Sequence, residues 1–209
     1  MKNLKYKKAI FWDFDGVIID SMPIREKGFR EVLSNYPKSE VDKLIDFHTK
    51  NAGLSRYVKF NYFFECIRIE SNTENKEAEL AKRFSDIMKE MLPDRELLIL
   101  DVINYIKKSP HINMHIVSGS DGEELKFLCK KLEIEFLFKS IEGSPTPKGS
   151  LVKNLMSNFK YNKEEVCLIG DSINDYEAAF ENDIDFIGYN NEELRLLHKY
   201  YIINFNEID

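Results

Sequence analysis

Two acidic stretches near opposite ends of the chain carry the most chemistry. Asp13-Phe14-Asp15-Gly16-Val17 follows the apolar run Ala9-Ile10-Phe11-Trp12, and Gly170-Asp171-Ser172-Ile173-Asn174-Asp175 follows the apolar run ending at Ile169. A strand alternates its faces, so Asp13 and Asp15 are expected to point the same way, into the crevice beyond the carboxyl edge of a sheet. Gly16 lets the chain turn away sharply at that point. Two carboxylates this close repel, and one holds its proton more tightly. That suits a nucleophile beside a general acid/base. Alone, the first stretch also reads as an aspartate-rich turn, and Asn174-Asp175 as the opening of a helix. Taken together, four acids converging on one sheet edge call for a cation. Oxygen ligands with few carboxylates favour Mg²⁺.

Two further features suit an anionic partner. Ser118-Gly119-Ser120 offers a hydroxyl and free backbone N–H groups, followed by a helix whose positive end faces them. Ser144-Pro145-Thr146-Pro147-Lys148-Gly149 places a lysine at the start of an amphipathic helix, where a cation is mildly unfavourable against the dipole. An anionic substrate beside an aspartate would account for it.

These residues must be positioned by buried strands. Besides 9–14, the runs at 113–117, 165–169 and 185–188 read as strands buried on both faces, with weaker candidates at Phe136-Leu137-Phe138 and Tyr201-Ile202-Ile203. Between them lie helical stripes: Leu98, Val102, Ile103 and Ile106, stopped by Pro110; Leu125, Leu128, Cys129 and Leu132, opened by Asp121 with Glu124 in a capping-box pattern; and Leu151, Leu155, Met156 and Phe159. The alternation predicts an α/β fold, a Rossmann-like doubly wound parallel sheet with helices on both faces.

Residues 21–95 break the alternation. Only helical periodicity is found there, and Ser39 with Asp42 is the expected cap of its second helix. This stretch holds 14 basic and 13 acidic residues, while the remainder holds 16 and 23. The expected division is an α/β core of 1–20 and 96–209 with a neutral helical cap, 21–95, inserted after the first strand.

The 209 residues are 43% hydrophobic, enough to fill one core, and the formal net charge of −6 argues against a nucleic-acid or anionic-membrane partner. No apolar run is long enough to span a bilayer. Cys66, Cys129 and Cys167 read as buried thiols in a reducing compartment, so a cytoplasmic protein is expected, a monomer by default.

With these motifs in this order, the chain resembles the haloacid dehalogenase superfamily of phosphotransferases, in its phosphoglycolate phosphatase and beta-phosphoglucomutase-like branch with an α-helical cap. The resemblance implies that Asp13 is the nucleophile, forming an aspartyl phosphate. Asp15 would protonate the leaving alcohol and then activate water. Asp171 would bind Mg²⁺ with Asp13 and the main-chain carbonyl of Asp15, and Asp175 would support the site. Ser118 and Lys148 would hold phosphoryl oxygens, with Gly119 and Ser120 beside them.

Within the superfamily, dehalogenases and phosphonate-cleaving relatives lack the second aspartate, so Asp15 implies phosphate-ester chemistry. Gly53-Leu54-Ser55-Arg56 is similar to the mutase loop that contacts the distal phosphate, yet the histidine of the mutases is matched by Arg25. Hydrolysis of a small phosphorylated metabolite, a sugar phosphate or a phosphoglycolate-like acid, is therefore expected. A sugar phosphomutase and a non-catalytic binding protein of the same fold are the alternatives. A receiver domain is disfavoured by the helical insertion. Arg56 and Arg25 are candidate substrate-recognition residues, a solvated helix-surface arginine being the competing reading for each. Lys59 reads as a surface residue, Tyr57, Phe60, Tyr62, Phe63 and Phe64 as cap packing. His48, His111, His115 and His198 have no metal-ligand spacing.

Overall fold

A computed structural model describes residues 4–70, 76–197 and 200–208. Its centre is a six-stranded parallel sheet: β1 (Ala9–Trp12), β2 (Asn113–Asp121), β3 (Ser140–Ser144), β4 (Val166–Gly170), β5 (Asp185–Tyr189) and β6 (Tyr201–Ile202), in the order β3-β2-β1-β4-β5-β6. Helices α5 (Leu100–Lys108), α6 (Gly122–Lys131), α7 (Lys148–Phe159), α8 (Ile173–Glu181) and α9 (Glu192–Leu197) connect the strands or precede them. The apolar residues of β1 and β4 are buried without a break, as expected of strands covered on both faces.

The strand order reverses at β1. The chain leaves β1 toward β2 on one side and returns to β4 on the other, opening a crevice at the carboxyl ends of β1 and β4. Register brings the two acidic stretches together there. Trp12 pairs with Ile169, and the Asp13 N–H donates to the Ile169 carbonyl at 2.9 Å.

Four helices lie between β1 and α5: α1 (Met22–Val32), α2 (Lys38–Lys50), α3 (Arg56–Tyr62) and α4 (Lys76–Met91). Phe29, Phe60 and Phe84 form their aromatic centre, with Phe29 and Phe84 rings 4.3 Å apart. Phe63 and Phe64 are buried as well, and Tyr62 stacks on Phe47 at 3.8 Å. The dense aromatic stretch is therefore a packing face. These helices meet the sheet edge closely. A Cβ on Gly119, at the end of β2, would collide with the Gly53 carbonyl oxygen, so only a glycine there permits the approach.

Several local expectations need correction. Phe136-Leu137-Phe138 is not a strand: Glu135–Leu137 forms a 3₁₀ turn that exposes Phe136, and the strand begins at Ser140. Ser39 and Asp42 do not cap α2, whose first turn is set by Pro37; Asp42 pairs with Arg30 at 2.6 Å instead. Asp121 does cap α6, accepting from the N–H groups of Glu123 and Glu124, both at 3.1 Å, but Glu124 does not reach back. Cys129 and Cys167 are buried, whereas Cys66 is exposed. Among the described residues no helix is long and apolar enough to cross a membrane.

Candidate active site

Asp13 leaves the end of β1, and Asp171 and Asp175 leave the loop after β4. One ligand oxygen from each lies within 4.8 Å of the others. Gly16 makes this convergence possible. It sits at φ +77°, and a Cβ there would collide with Asp171 Oδ2. Asp175 anchors its own loop, its Oδ2 accepting from the backbone N–H of Ser172 at 3.0 Å and from the Ser172 hydroxyl at 2.6 Å. Lys148, first residue of α7, donates to Asp13 Oδ1 at 2.9 Å and to Asp175 Oδ1. Two buried carboxylates thus explain a cation at a helix N-terminus. Its charge is held firmly, because Asp13 and Asp175 outweigh the burial that would otherwise weaken it.

Asp13 and Asp15 turn to different partners. Asp15 follows the strand end, and its Oδ1 receives Arg25 Nε at 2.6 Å and the Ser21 hydroxyl, while Oδ2 receives the Ser120 hydroxyl at 2.6 Å. The two carboxyls therefore titrate in opposite directions. Burial, with the charge of Asp175, pushes Asp13 up to about 7 against the pull of Lys148. Burial also opposes ionisation of Asp15, but the Arg25 guanidinium outweighs it and holds that carboxyl below its ordinary range. Asp13 holds its proton more tightly, through burial and Asp175 more than through repulsion by Asp15.

When all are ionised, the three clustered aspartates carry three negative charges against the one positive charge of Lys148, and that excess holds protons on Asp13 and Asp171. Asp171 Oδ1 is buried with no hydrogen bond among the described residues, and burial beside Asp13 drives its carboxyl well above the ordinary value. An all-oxygen donor set with uncompensated negative charge fits a hard divalent cation such as Mg²⁺. Asp13 and Asp171 have the capacity to hold it, while the Asp175 oxygens are already engaged. The Asp15 side chain lies outside the cluster of three.

Ser118 is buried, and its hydroxyl accepts the Ser120 N–H at 3.1 Å. Gly119 lies under the Gly53 loop, and Ser120 is committed to Asp15. The arginines are not solvated. Arg25 is buried and also donates to Glu124 Oε1 at 2.9 Å. Arg56 is buried against the Phe84 ring, with Nη1 2.7 Å from Glu124 Oε2. Lys59, expected on the surface, is buried one turn along α3 from Arg56, and its ammonium donates to the Ala52 carbonyl at 2.9 Å. Burial and the charge of Arg25 push it down to about 7.

Four residues of this neighbourhood escaped the sequence reading. Glu124 looked like a helix cap, yet it is buried and joins two arginines of the insertion to the start of α6. Ser21 carried no signal beyond opening the helical stretch, and His48 none beyond its place on a helix. The signal for Lys59 was its position on the Arg56 side of a short helix beside Phe60. His115 is buried in β2 between Ser140 and Tyr161, and His198 lies outside the described residues.

Residues 10–189 match the model of the haloacid dehalogenase-like hydrolases. A phosphorylated carbohydrates phosphatase of Thermotoga maritima is 25% identical over 191 residues, covering 86% of this chain and 83% of that protein. Among solved structures, a predicted phosphoglycolate phosphatase of Haemophilus somnus superposes with a TM-score of 0.78 at 18% identity, covering 97% of this chain and 96% of that one. A beta-phosphoglucomutase of Clostridium difficile gives a TM-score of 0.78 at 15% identity, covering 97% and 93%. At such identities the structural likeness concerns the fold.

Proposed function

The chain belongs to the haloacid dehalogenase-like hydrolase family, and from that premise we propose that it is a Mg²⁺-dependent phosphatase of small phosphorylated metabolites working through a phosphorylated Asp13. The observation that carries the reading is the buried Asp13–Lys148–Asp175 arrangement beside Asp171. The Thermotoga maritima relative, named for phosphorylated carbohydrates, supports the substrate class. The helices α1–α4 act as a cap that excludes water while the phosphoryl group is in transit.

In the first step a carboxylate oxygen of Asp13 attacks phosphorus, the bond from phosphorus to the leaving oxygen breaks, and Asp15 gives that oxygen its proton. In the second step water attacks phosphorus, Asp15 takes a proton from it, and the bond from phosphorus to Asp13 breaks, restoring the carboxylate. Lys148 offsets the repulsion between Asp13 and the incoming phosphate and fixes the attacking oxygen. Ser118 and the backbone around Gly119 orient phosphoryl oxygens. A bound Mg²⁺, held by Asp13 and Asp171, supplies further charge neutralisation and orientation. Arg25 keeps Asp15 ionised at rest, the form that suits the second step. The first step requires Asp15 to gain a proton against that pairing.

The test is phosphate release from a panel of phosphorylated sugars and hydroxy acids with Mg²⁺, comparing the native protein with Asp13→Asn. Mg²⁺-dependent release lost in the variant supports the reading. Equal release by both proteins removes Asp13 as nucleophile.

A further inference from the structure

Past the bond from the Asp13 N–H to Ile169, the pairing of β1 with β4 ends. The chain that continues from the two strands carries Asp13 and Asp171, whose ionised side chains repel. Among the described residues Lys148 pairs with Asp13 and Asp175 and not with Asp171. The contacts that tie the Asp171 loop to the loop after β1 come instead from a third strand. Asn190 and Asn191 directly follow β5, which neighbours β4 and not β1. The Asn190 side-chain amide donates to the Gly16 carbonyl at 2.9 Å, 174 residues away in sequence and beyond the intervening strand β4. The Asn191 amide donates to the Asp171 carbonyl at 2.7 Å. Two adjacent residues thus hold one main-chain oxygen on each acidic loop.

Their own positions are fixed. Asn190 is left-handed at φ +53°, a conformation that asparagine tolerates. The Asn191 N–H donates to the Tyr201 hydroxyl at 3.0 Å, and its Oδ1 accepts the Glu193 N–H at 3.0 Å where α9 begins. A turn alone asks for less. Glycine would satisfy the backbone at 190, and serine would serve the Glu193 N–H. The two amide nitrogens are the surplus, and both go to the acidic loops.

The gap they hold is already at contact, since a Cβ on Gly16 would collide with Asp171 Oδ2. Across it, Asp171 Oδ1 is buried without a hydrogen bond among the described residues. Mg²⁺ requires oxygens at about 2.0–2.1 Å in near-octahedral geometry, whereas Ca²⁺ accepts about 2.3–2.6 Å in a looser shell. A rigid, close pair of loops therefore favours the smaller ion.

We propose that Asn190 and Asn191 are positioning residues that clamp the two acidic loops together and so set a preference for Mg²⁺ over Ca²⁺. The inference rests on the Mg²⁺ site of the proposed function and adds what selects its ion.

The experiment is isothermal titration calorimetry of the full chain with each ion and no substrate, on the native protein, Asn190→Gly and Asn191→Ser. The first variant keeps the left-handed backbone and loses the amide; the second keeps an acceptor for Glu193 and loses the donor to Asp171. Loss of an outer partner should weaken Mg²⁺ binding by about tenfold or more. Ca²⁺ binding should weaken by less than about threefold, because its shell tolerates wider spacing. The ratio of the two dissociation constants is read on folded molecules, so a variant that only loses stability does not move it, and two variants guard against one failing to fold. Mg²⁺ binding unchanged in both variants, or both ions weakened equally, overturns the clamp. If Asp171→Asn still abolishes Mg²⁺ binding in that case, the metal reading stands without it. A native protein that binds no Mg²⁺ overturns the metal reading and the clamp together.

Discussion

Asp15 stands between two buried clusters of unlike charge. On the sheet side, Asp13, Asp171 and Asp175 when ionised exceed Lys148 by two negative charges. On the helical side, Arg25 and Arg56 balance Asp15 and Glu124, and Lys59 adds a positive charge only where it is protonated. Neither cluster is a satisfied core network, because among the described residues each retains buried atoms without a hydrogen bond: Asp171 Oδ1 in one, and Arg25 Nη2, Arg56 Nη2, Glu124 Oε2 and both His48 nitrogens in the other. Burying charge is unfavourable unless it is compensated. The acidic side therefore suits a cation, as the proposed function requires.

The largest effect expected concerns the acidic side. Asp13→Asn removes the nucleophile and should lower kcat/KM for phosphate release by on the order of 10³-fold or more. A smaller loss, measured by steady-state assay, would break the assignment of that side as the reacting one.

The basic side depends on one acid. Glu124→Gln leaves Arg25 and Arg56 without their shared counter-charge, and the loss of a buried partner should lower unfolding free energy by roughly 3–5 kcal/mol. Urea denaturation gives the value. A cost below about 1 kcal/mol would mean that these ion pairs are already solvated.

The metal prediction distinguishes the two sides. At a concentration of roughly 100 times the dissociation constant, Mg²⁺ should raise stability by about 2.7 kcal/mol. Asp171→Asn should abolish that gain while making the metal-free protein more stable, since it removes a buried carboxylate from a repelling group. Arg56→Lys should leave the Mg²⁺ gain in place. Thermal unfolding with and without the ion measures all three, and a Mg²⁺ gain that survives in Asp171→Asn would place the cation elsewhere.

A smaller effect concerns His115, outside both clusters. Burial pushes its ring down to about 4 from an ordinary 6.5. Between these values the unfolded chain binds more protons than the folded one, so stability rises with pH across the window and is lost as pH falls from 6.5 toward 4. Near pH 5 the loss is on the order of 2 kcal/mol. Denaturation at pH 7 and pH 5 should show that much less acid sensitivity in His115→Gln.

The acidic side was legible in the sequence because each aspartate follows a continuous apolar run, and parallel strands deliver such residues to one edge. Lys148 was legible as an anomaly at a helix N-terminus. The basic side was much less so. Lys59 and His48 lie on helices whose burial depends on how four helices fold onto the sheet, and local periodicity does not report that packing. Glu124 satisfied a local pattern, the capping box, and the tertiary contact with two arginines prevailed over it. Phe136-Leu137-Phe138 had the composition of a strand, but Glu133 at φ +56° and the turn that follows delay β3 until Ser140.

The central claim is that the phosphoryl group passes through Asp13, and the Asp15→Asn variant tests it most directly. With p-nitrophenyl phosphate the leaving group needs no proton, so the first step should proceed, while the second lacks its base and should stall. Acid quenching followed by peptide mass mapping should find one phosphoryl group per protein on Asp13 in the presence of Mg²⁺. Release of p-nitrophenol with no phosphoryl group on the protein, or with one on another residue, would contradict the account.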